Sequence, residues 1–350
     1  MLDRSLLGAT ADAIERVQLR DGSIPWHRDG HLDPWNMVEA AMGLDAARRH
    51  DAAAAAYRWL AAAQRPDGSW AAAYRDGIVE DATLDANFCA YAAAGVWHHY
   101  TATRDVDFLA ALLPVVDRAM GFVLRLQMAG GAIAWARDAA YRPWPGALLT
   151  SSSCIHLSLG CALAAAAELG LERLEWELAR SALADAVAAG PAGFEEKGRF
   201  SMDWYYPVLG GVLAGAPARA HLAARWDEFV VDGRGVRCVS DRPWVTTGET
   251  CELVLALEAA GEWDRAAALF AWVQHLRCPS GDYWTGATWP EDVVWPRETT
   301  TWGAGAVLLA ADALDGTSAT SAFFHPTRFS TRSEPVRETS ANEADSIARL

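Results

Sequence analysis

Six stretches of the chain gather carboxylates, amides, hydroxyls and indoles at the start of an apolar helical segment. The first runs Trp26-His27-Arg28-Asp29-Gly30-His31-Leu32-Asp33-Pro34-Trp35-Asn36-Met37-Val38-Glu39 and the second Glu80-Asp81-Ala82-Thr83-Leu84-Asp85-Ala86-Asn87. The third holds Thr150-Ser151-Ser152-Ser153-Cys154-Ile155-His156, and the fourth Ser201-Met202-Asp203-Trp204-Tyr205-Tyr206. Trp244-Val245-Thr246-Thr247-Gly248-Glu249-Thr250-Cys251-Glu252 makes the fifth. The sixth extends from Tyr283-Trp284 past Trp289, Glu291, Asp292 and Trp295 to Glu298-Thr299-Thr300-Thr301-Trp302. A sugar polymer asks for this mixture: aromatic faces stack on pyranose C–H surfaces, and carboxylates and amides bind pairs of hydroxyls. Two placed carboxyl groups would then supply acid and base for glycosidic cleavage.

The favoured pair is Asp33 with Glu249. Asp33 precedes Pro34 in the position of an N-cap, and Glu249 follows a glycine in the first turn of its helix. Glu249 is expected as the acid, Asp33 as the base, with inversion at the anomeric carbon. Trp26, His31, Trp35, Asp81, Asp85, Asn87, Asp203, Trp204, Tyr205, Trp244, Glu252, Trp284, Trp289 and Trp302 are the expected substrate-binding residues. Any one acid at a helix start is more commonly a cap or a dipole partner. What weighs against that reading is six segments sharing the bias. Trp59, Trp97, Trp176, Trp226, Trp263 and Trp272 fall inside helical stretches and are expected in the core.

Other chemistry finds less support. Asp81-x-x-x-Asp85 could bind a magnesium diphosphate, but it has two carboxylates and few nearby cations. The adjacent His98-His99 points in two directions and suits a helix end better than a metal, and no spacing converges three or four zinc ligands. The serine run lacks a nucleophile-elbow setting, and there is no P-loop or dinucleotide fingerprint. No metal and no cofactor are therefore expected. Two alternatives stay open: an isoprenoid-processing enzyme whose indoles face carbocations, and a glycan-binding module without turnover.

The elements that carry these segments are helices. Apolar positions recur at three and four residues in twelve segments, near 3–18, 34–49, 51–64, 82–100, 105–127, 149–169, 171–189, 203–214, 216–229, 246–260, 263–276 and 299–314. Across them a turn signal recurs: Gln18 with Gly22, Gln64 with Gly68, Gln127 with Gly131, and Gln274 followed by Gly281. The glutamines are spaced 46, 63 and 147 residues apart, the last being about three units, with degenerate units expected at Glu195–Gly198 and Val231–Gly235. Twelve helices in six hairpins predict an all-α (α/α)6 toroid over residues 1–315, with inner and outer rings of six. Residues 316–350 lose the periodicity and read as a C-terminal extension or a disordered tail.

Composition bounds the partners. The 350 residues are 52% hydrophobic, with 17 tryptophans and a net charge of −15, and 29 of the 30 basic residues are arginine. That acidity disfavours nucleic acid and anionic membranes. No run of eighteen uncharged apolar residues is evident, so no membrane span is expected, and the start of the chain does not read as a signal peptide. Six cysteines without a paired framework suit reduced thiols in the cytoplasm. Nothing in the sequence sets an oligomeric state.

Tyr57-Arg58-Trp59-Leu60-Ala61-Ala62-Ala63-Gln64-Arg65-Pro66-Asp67-Gly68-Ser69-Trp70 resembles the Gln–Trp repeat of squalene cyclases and protein prenyltransferase β-subunits, which implies their toroid. The cyclases' acidic protonation motif and a prenyltransferase zinc set are absent, so that chemistry does not carry over. Over residues 15–315 the chain is similar to the actinobacterial prenyltransferase-like proteins, which include a mycobacterial hydrolase of methylmannose polysaccharide. The stretches that carry this are Gly22–Trp26, Asp33–Trp35, Val79–Asp81, Asn87–Tyr91, Ser201–Pro207, Arg225–Phe229, Glu249–Leu253 and Thr299–Trp302. Membership implies an endo-acting α-1,4-mannosidase trimming a cytoplasmic, partly O-methylated mannan. The arginine-rich, lysine-poor composition suits an actinobacterial source.

Overall fold

A computed structural model describes residues 4–138 and 140–325. The helices are α1 (Arg4–Glu15), α2 (Pro34–Ala46), α3 (His50–Ala63), α4 (Ala86–Thr103), α5 (Val106–Leu124), α6 (Leu149–Glu168), α7 (Leu174–Ala188), α8 (Ser201–Leu209), α9 (Gly215–Ala224), the single turn α10 (Trp226–Phe229), α11 (Thr247–Ala260), α12 (Trp263–Trp272) and α13 (Thr301–Asp315). The twelve longer ones correspond to the twelve expected segments. α2, α4, α6, α8, α11 and α13 are buried along nearly their whole length, and their apolar residues occur on every side, as a fully enclosed helix requires. Each packs on the next in that order, and α13 returns to pack on α2, so the six close a cycle. α1, α3, α5, α7, α9 and α12 lie outside; α7 packs on α6, and the other five bridge neighbouring members, as α3 touches α2 and α4, and α12 touches α11 and α13.

The glutamine–glycine repeat has a physical reason. Gln18, Gln64 and Gln127 each donate from Nε2 to the carbonyl of the paired glycine (2.8, 3.0 and 2.9 Å). Each also donates to a carbonyl of the following outer helix, at Ala52, Val115 or Ala179 (2.9 Å each). The glycines Gly22, Gly68 and Gly131 have φ near +90° and lie flat on the backbones of Ala55, Arg118 and Ala182, where a Cβ has no room. Gly281 packs in the same way on Ala9 of α1, but Gln274 bonds to Phe270 and Tyr283 instead. The degenerate units lack the glutamine. Arg225 takes over at one of them, donating to the Gly198 carbonyl at 2.7 Å.

Short antiparallel strands line the end where the inner helices begin: β1 (Ala73–Arg75) with β2 (Ile78–Asp81), and β3 (Leu84–Asp85) with β4 (Ala136–Arg137). A four-stranded sheet of β5 (Val230–Val231), β6 (Gly235–Arg237), β7 (Trp244–Thr246) and β8 (Gly286–Thr288) stands there too. The fold is thus helix-rich with small sheets rather than purely helical. The extended stretch before Ala86 also shortens the segment expected from residue 82, because Asp85 stops the helix as its cap.

α6 is long and apolar enough to cross a membrane by length and composition. It is mostly buried, as a member of the inner cycle. All six cysteines are free thiols. After α13, Ser318 and Thr320 bond to Asp312 and Phe323 packs edge-on against His98, so residues 316–325 lie against the helices. The rest of the expected extension, 326–350, lies outside the described residues.

Candidate active site

The six inner helices start at one end of the cycle, and that end collects the polar residues. Asp33 caps α2: Oδ1 accepts the Asn36 backbone N–H (2.8 Å) and Oδ2 the Asn36 amide (2.5 Å), with His31 Nε2 at 3.9 Å from Oδ2. Burial raises the Asp33 carboxyl above its ordinary range, against the bonds from Asn36 and the charge of His31. Asp85 caps α4 through the N–H groups of Asn87 and Phe88 (2.8 and 3.1 Å). Burial, with the charge of nearby Asp33, lifts it to about 7 despite those bonds. Asp203 turns to the neighbouring helix, accepting from the backbone and hydroxyl of Thr150 at 3.2 and 2.5 Å. It thereby satisfies an N–H of α6, a helix without a side-chain cap of its own.

Glu249 stands in the first turn of α11, 5% exposed, with its Oε2 unpartnered. Gly248 beside it is helical; what requires a glycine is room rather than flexibility, since a Cβ there would run into the Trp302 indole. Trp302 reaches from α13 to both sides: it meets Trp35 edge-on (6.3 Å) and Trp26 tilted (5.7 Å) on the α2 side, and lies over Gly248 on the α11 side. Trp26 stacks on His31 (5.6 Å) and Trp35 on Tyr91 (4.9 Å), so one wall of the site is continuous aromatic surface. Asn87 Oδ1, Ser152 Oγ, Glu249 Oε2 and Trp302 Nε1 are buried without a hydrogen-bond partner. An unpaired polar atom is costly to bury, so four in the first turns of inner helices α4, α6, α11 and α13 mark where a hydroxylated ligand belongs.

Deeper on the axis lies a second pair of acids. Glu39 accepts from Tyr91 Oη, and Glu252 from Tyr205 Oη and Tyr206 Oη, the latter at 2.9 Å. Burial lifts Glu39 to about 7, and it raises Glu252 well above the carboxylate range with help from the charge of Glu39. Glu252 and Tyr205 therefore belong to a dry network under the rim. Glu39, Tyr91 and Tyr206 were not among the expected site residues. The signal that finds them is helical spacing, since Glu39 follows Trp35, and Tyr91 follows Asn87, by four residues, one face of one helix.

Other expected residues lie elsewhere. Trp204 points outward: its Nε1 donates to the His221 carbonyl of α9 (3.2 Å) and its ring stacks on Phe229 (5.3 Å), because its neighbours Tyr205 and Tyr206 take the inward phase of α8. Asp81 is exposed at the end of β2 and accepts from the Thr83 N–H, so it shares no helical face with Asp85. Trp244 is half-buried and edge-on to Trp295 (5.2 Å), and Trp284 is half-buried, with its carbonyl accepting from Thr247 Oγ1 (2.7 Å). Trp289 is exposed on the rim under the Arg237 guanidinium. Among the tryptophans expected in the core, Trp176 is buried, while Trp263 is 55% exposed on α12.

No family model matches the chain. Over 309 residues it is 50% identical to the MMP endo-(1,4)-3-O-methyl-alpha-D-mannosidase of Mycolicibacterium hassiacum, covering 88% of this chain and 86% of that one. The chain belongs to that mannosidase family. It is a glycosidase, and of the three readings of its sequence the hydrolytic one holds. Solved structures share the fold at low identity. A glycosidase in complex with glucose aligns with a TM-score of 0.71 at 16% identity, over 90% of this chain and 99% of that one. The GH63 mannosylglycerate hydrolase of Thermus thermophilus aligns at 0.69 and 15%, over 87% and 99%. A D-mannose isomerase aligns at 0.65 and 10%, over 88% and 97%. One scaffold carries both hydrolases and an isomerase, so the chemistry has to be argued from the site.

Proposed function

We propose that this glycosidase is an endo-acting α-1,4-mannosidase of O-methylated mannan, and that its two rings of helices form an (α/α)6 toroid with the cleft at the start of the inner ring. The return of α13 onto α2 supports the toroid. The substrate reading rests on the mannosidase relative and on four unpartnered polar atoms set among stacked indoles. A methylated oxygen still accepts a hydrogen bond but no longer donates one, and its methyl group adds apolar surface. Such a chain suits a wall of indoles that carries few, well-placed polar groups.

The geometry supports Asp33 and Glu249 as the working pair, with roles opposite to those expected from the sequence. Burial raises the Asp33 carboxyl above its ordinary range, which suits a general acid. Glu249 Oε2 has no protein partner, which suits a base holding water. In this mechanism Asp33 gives its proton to the glycosidic oxygen as the C–O bond breaks, and the leaving sugar departs with a free hydroxyl. Water attacks the anomeric carbon from the opposite face and loses a proton to Glu249, and solvent returns that proton to Asp33. The product is an inverted hemiacetal.

Two substrates separate the roles. Asp33→Asn is expected to lose about 10²–10⁴-fold in kcat on a methylated α-1,4-mannooligosaccharide, yet to retain hydrolysis of an α-mannosyl fluoride, whose leaving group needs no proton. Glu249→Gln is expected to lose both. NMR of the first-formed anomer reads the stereochemistry. Full mannan cleavage by either variant would sink the pair, and the reverse pattern on the fluoride would exchange the roles.

A further inference from the structure

Trp144 belongs to none of the groups above, and its setting is unusual. It sits between Pro143 and Pro145 in the loop that leads into α6, is 45% exposed, and stacks on Trp135 with ring centroids 5.3 Å apart at 28°. The loop is built rather than slack. Trp144 N–H donates to Ala136 O (2.9 Å), Trp135 N–H to Gly146 O (3.1 Å), and Arg142 Nε to Asp138 Oδ2 (2.8 Å). Proline on either side removes backbone freedom, so the exposed ring is held in place before anything binds. The Ala86 N–H donates to Trp135 O at 2.8 Å, and Asp85 pairs with Ala136, which joins the indole pair to the first turn of α4.

A second pair, Trp244 edge-on to Trp295, occupies β7 and the loop after β8, and β7 runs directly into α11 and Glu249. In the cycle of six, α4 and α11 are three places apart and therefore opposite. Neighbouring helix axes 8–10 Å apart put opposite members of a six-membered ring about 16–20 Å apart. The two indole pairs thus stand on opposite sides of the acids, at a separation of several sugar rings rather than one.

We propose that the Trp135–Trp144 pair is a distal sugar-stacking platform, which holds a pyranose of the substrate chain several units from the cleaved bond and so sets the preference for long chains. The proposal rests on the mannan reading above. Its ligand is an apolar pyranose face, presented by a 1,4-linked, O-methylated mannan that crosses the cleft from α4 toward α11.

The test compares wild-type protein, Trp144→Ala and Trp144→Phe on methylated α-1,4-mannooligosaccharides of increasing length. In Trp144→Ala the ratio of kcat/KM on the longest chain to that on the shortest cleaved chain is expected to fall about tenfold, through KM, which corresponds to about 1.4 kcal/mol for one lost stack. Trp144→Phe is expected to restore most of it. An unchanged ratio, or an equal loss on long and short chains, would overturn the platform. Calorimetric binding of the longest chain to Glu249→Gln, with and without Trp144→Ala, keeps the two readings apart. If wild-type protein cleaves no chain, the mannan reading falls, while the platform stands on weaker binding by the double variant and falls on equal binding.

Discussion

At the C-terminal end of α2 and α4, the buried Asp45 carboxylate meets Nδ1 of His50 and of His99 at 2.9 Å, with His98 at 3.9 Å. At the N-terminal end of the same helices, Asp33 has His31 at 3.9 Å and Asp85 has only backbone N–H groups. Burial alone would raise all three. At Asp45 the hydrogen bonds from His50 and His99, with His98 close by, outweigh it and hold the carboxyl far below its ordinary range, whereas at Asp33 and Asp85 burial wins. One fold therefore treats buried acids in two ways. Where charge is satisfied, the acid holds the helices together. Where it is left short of partners, the acid is primed to exchange a proton with something not yet bound.

Paired substitutions should separate the two ends. Glu249→Gln is expected to cost about 10²–10⁴ in kcat while leaving the urea midpoint unchanged or slightly higher, because a neutral amide of the same shape costs less to bury than a carboxylate. Asp45→Asn should do the reverse: kcat of the folded protein stays, and stability drops by about 3–5 kcal/mol, as when one side of a buried charge pair is removed. If Asp45→Asn abolished turnover in fully folded protein, or Glu249→Gln unfolded it, the contrast would fail. Gly248→Ala lies between them. Its Cβ would press on Trp302, so it is expected to cost about 1–3 kcal/mol as overpacking and to raise KM, whereas the same change at the solvent-facing Gly77 should leave KM alone.

How much of this was legible in the sequence follows from which forces are local. The twelve helices were, because Ala/Leu periodicity and a cap such as Asp33 act within a few residues. The Gln64–Gly68 signal was visible, though its purpose, a strap to the next outer helix, needs the fold. The crowding of acids and indoles at one end was legible as a bias of six segments. The inward or outward phase of a single residue was not: Trp204 and Tyr205 are adjacent, and only the packing of α9 makes the first a core residue. Asp45 escaped notice because its partners come from separate helices, and Trp144 because a tryptophan between prolines has no periodicity to betray its role.

The smallest expected effect concerns pH, and its sign separates the two ends again. Asp85 moves from an ordinary 3.8 up to about 7 on folding, so between those values the folded protein holds a proton that the unfolded chain has lost. Stability contributed by this group must therefore fall as pH rises from about 4 through 7, then level off. Glu39, lifted from 4.5 to about 7, adds to the same slope. Asp45 works the other way: with its folded value depressed, its contribution is complete above the unfolded value and is lost only as pH falls below about 4. Asp85→Asn should accordingly reduce the difference in unfolding free energy between pH 5 and pH 8 by on the order of 1 kcal/mol, since Asp85 is only half-buried and partly screened. The acid limb near pH 3 should not move. Urea midpoints at the three pH values read both limbs, and a slope unchanged by Asp85→Asn would mean that the Asp85 carboxylate is charged in the resting protein.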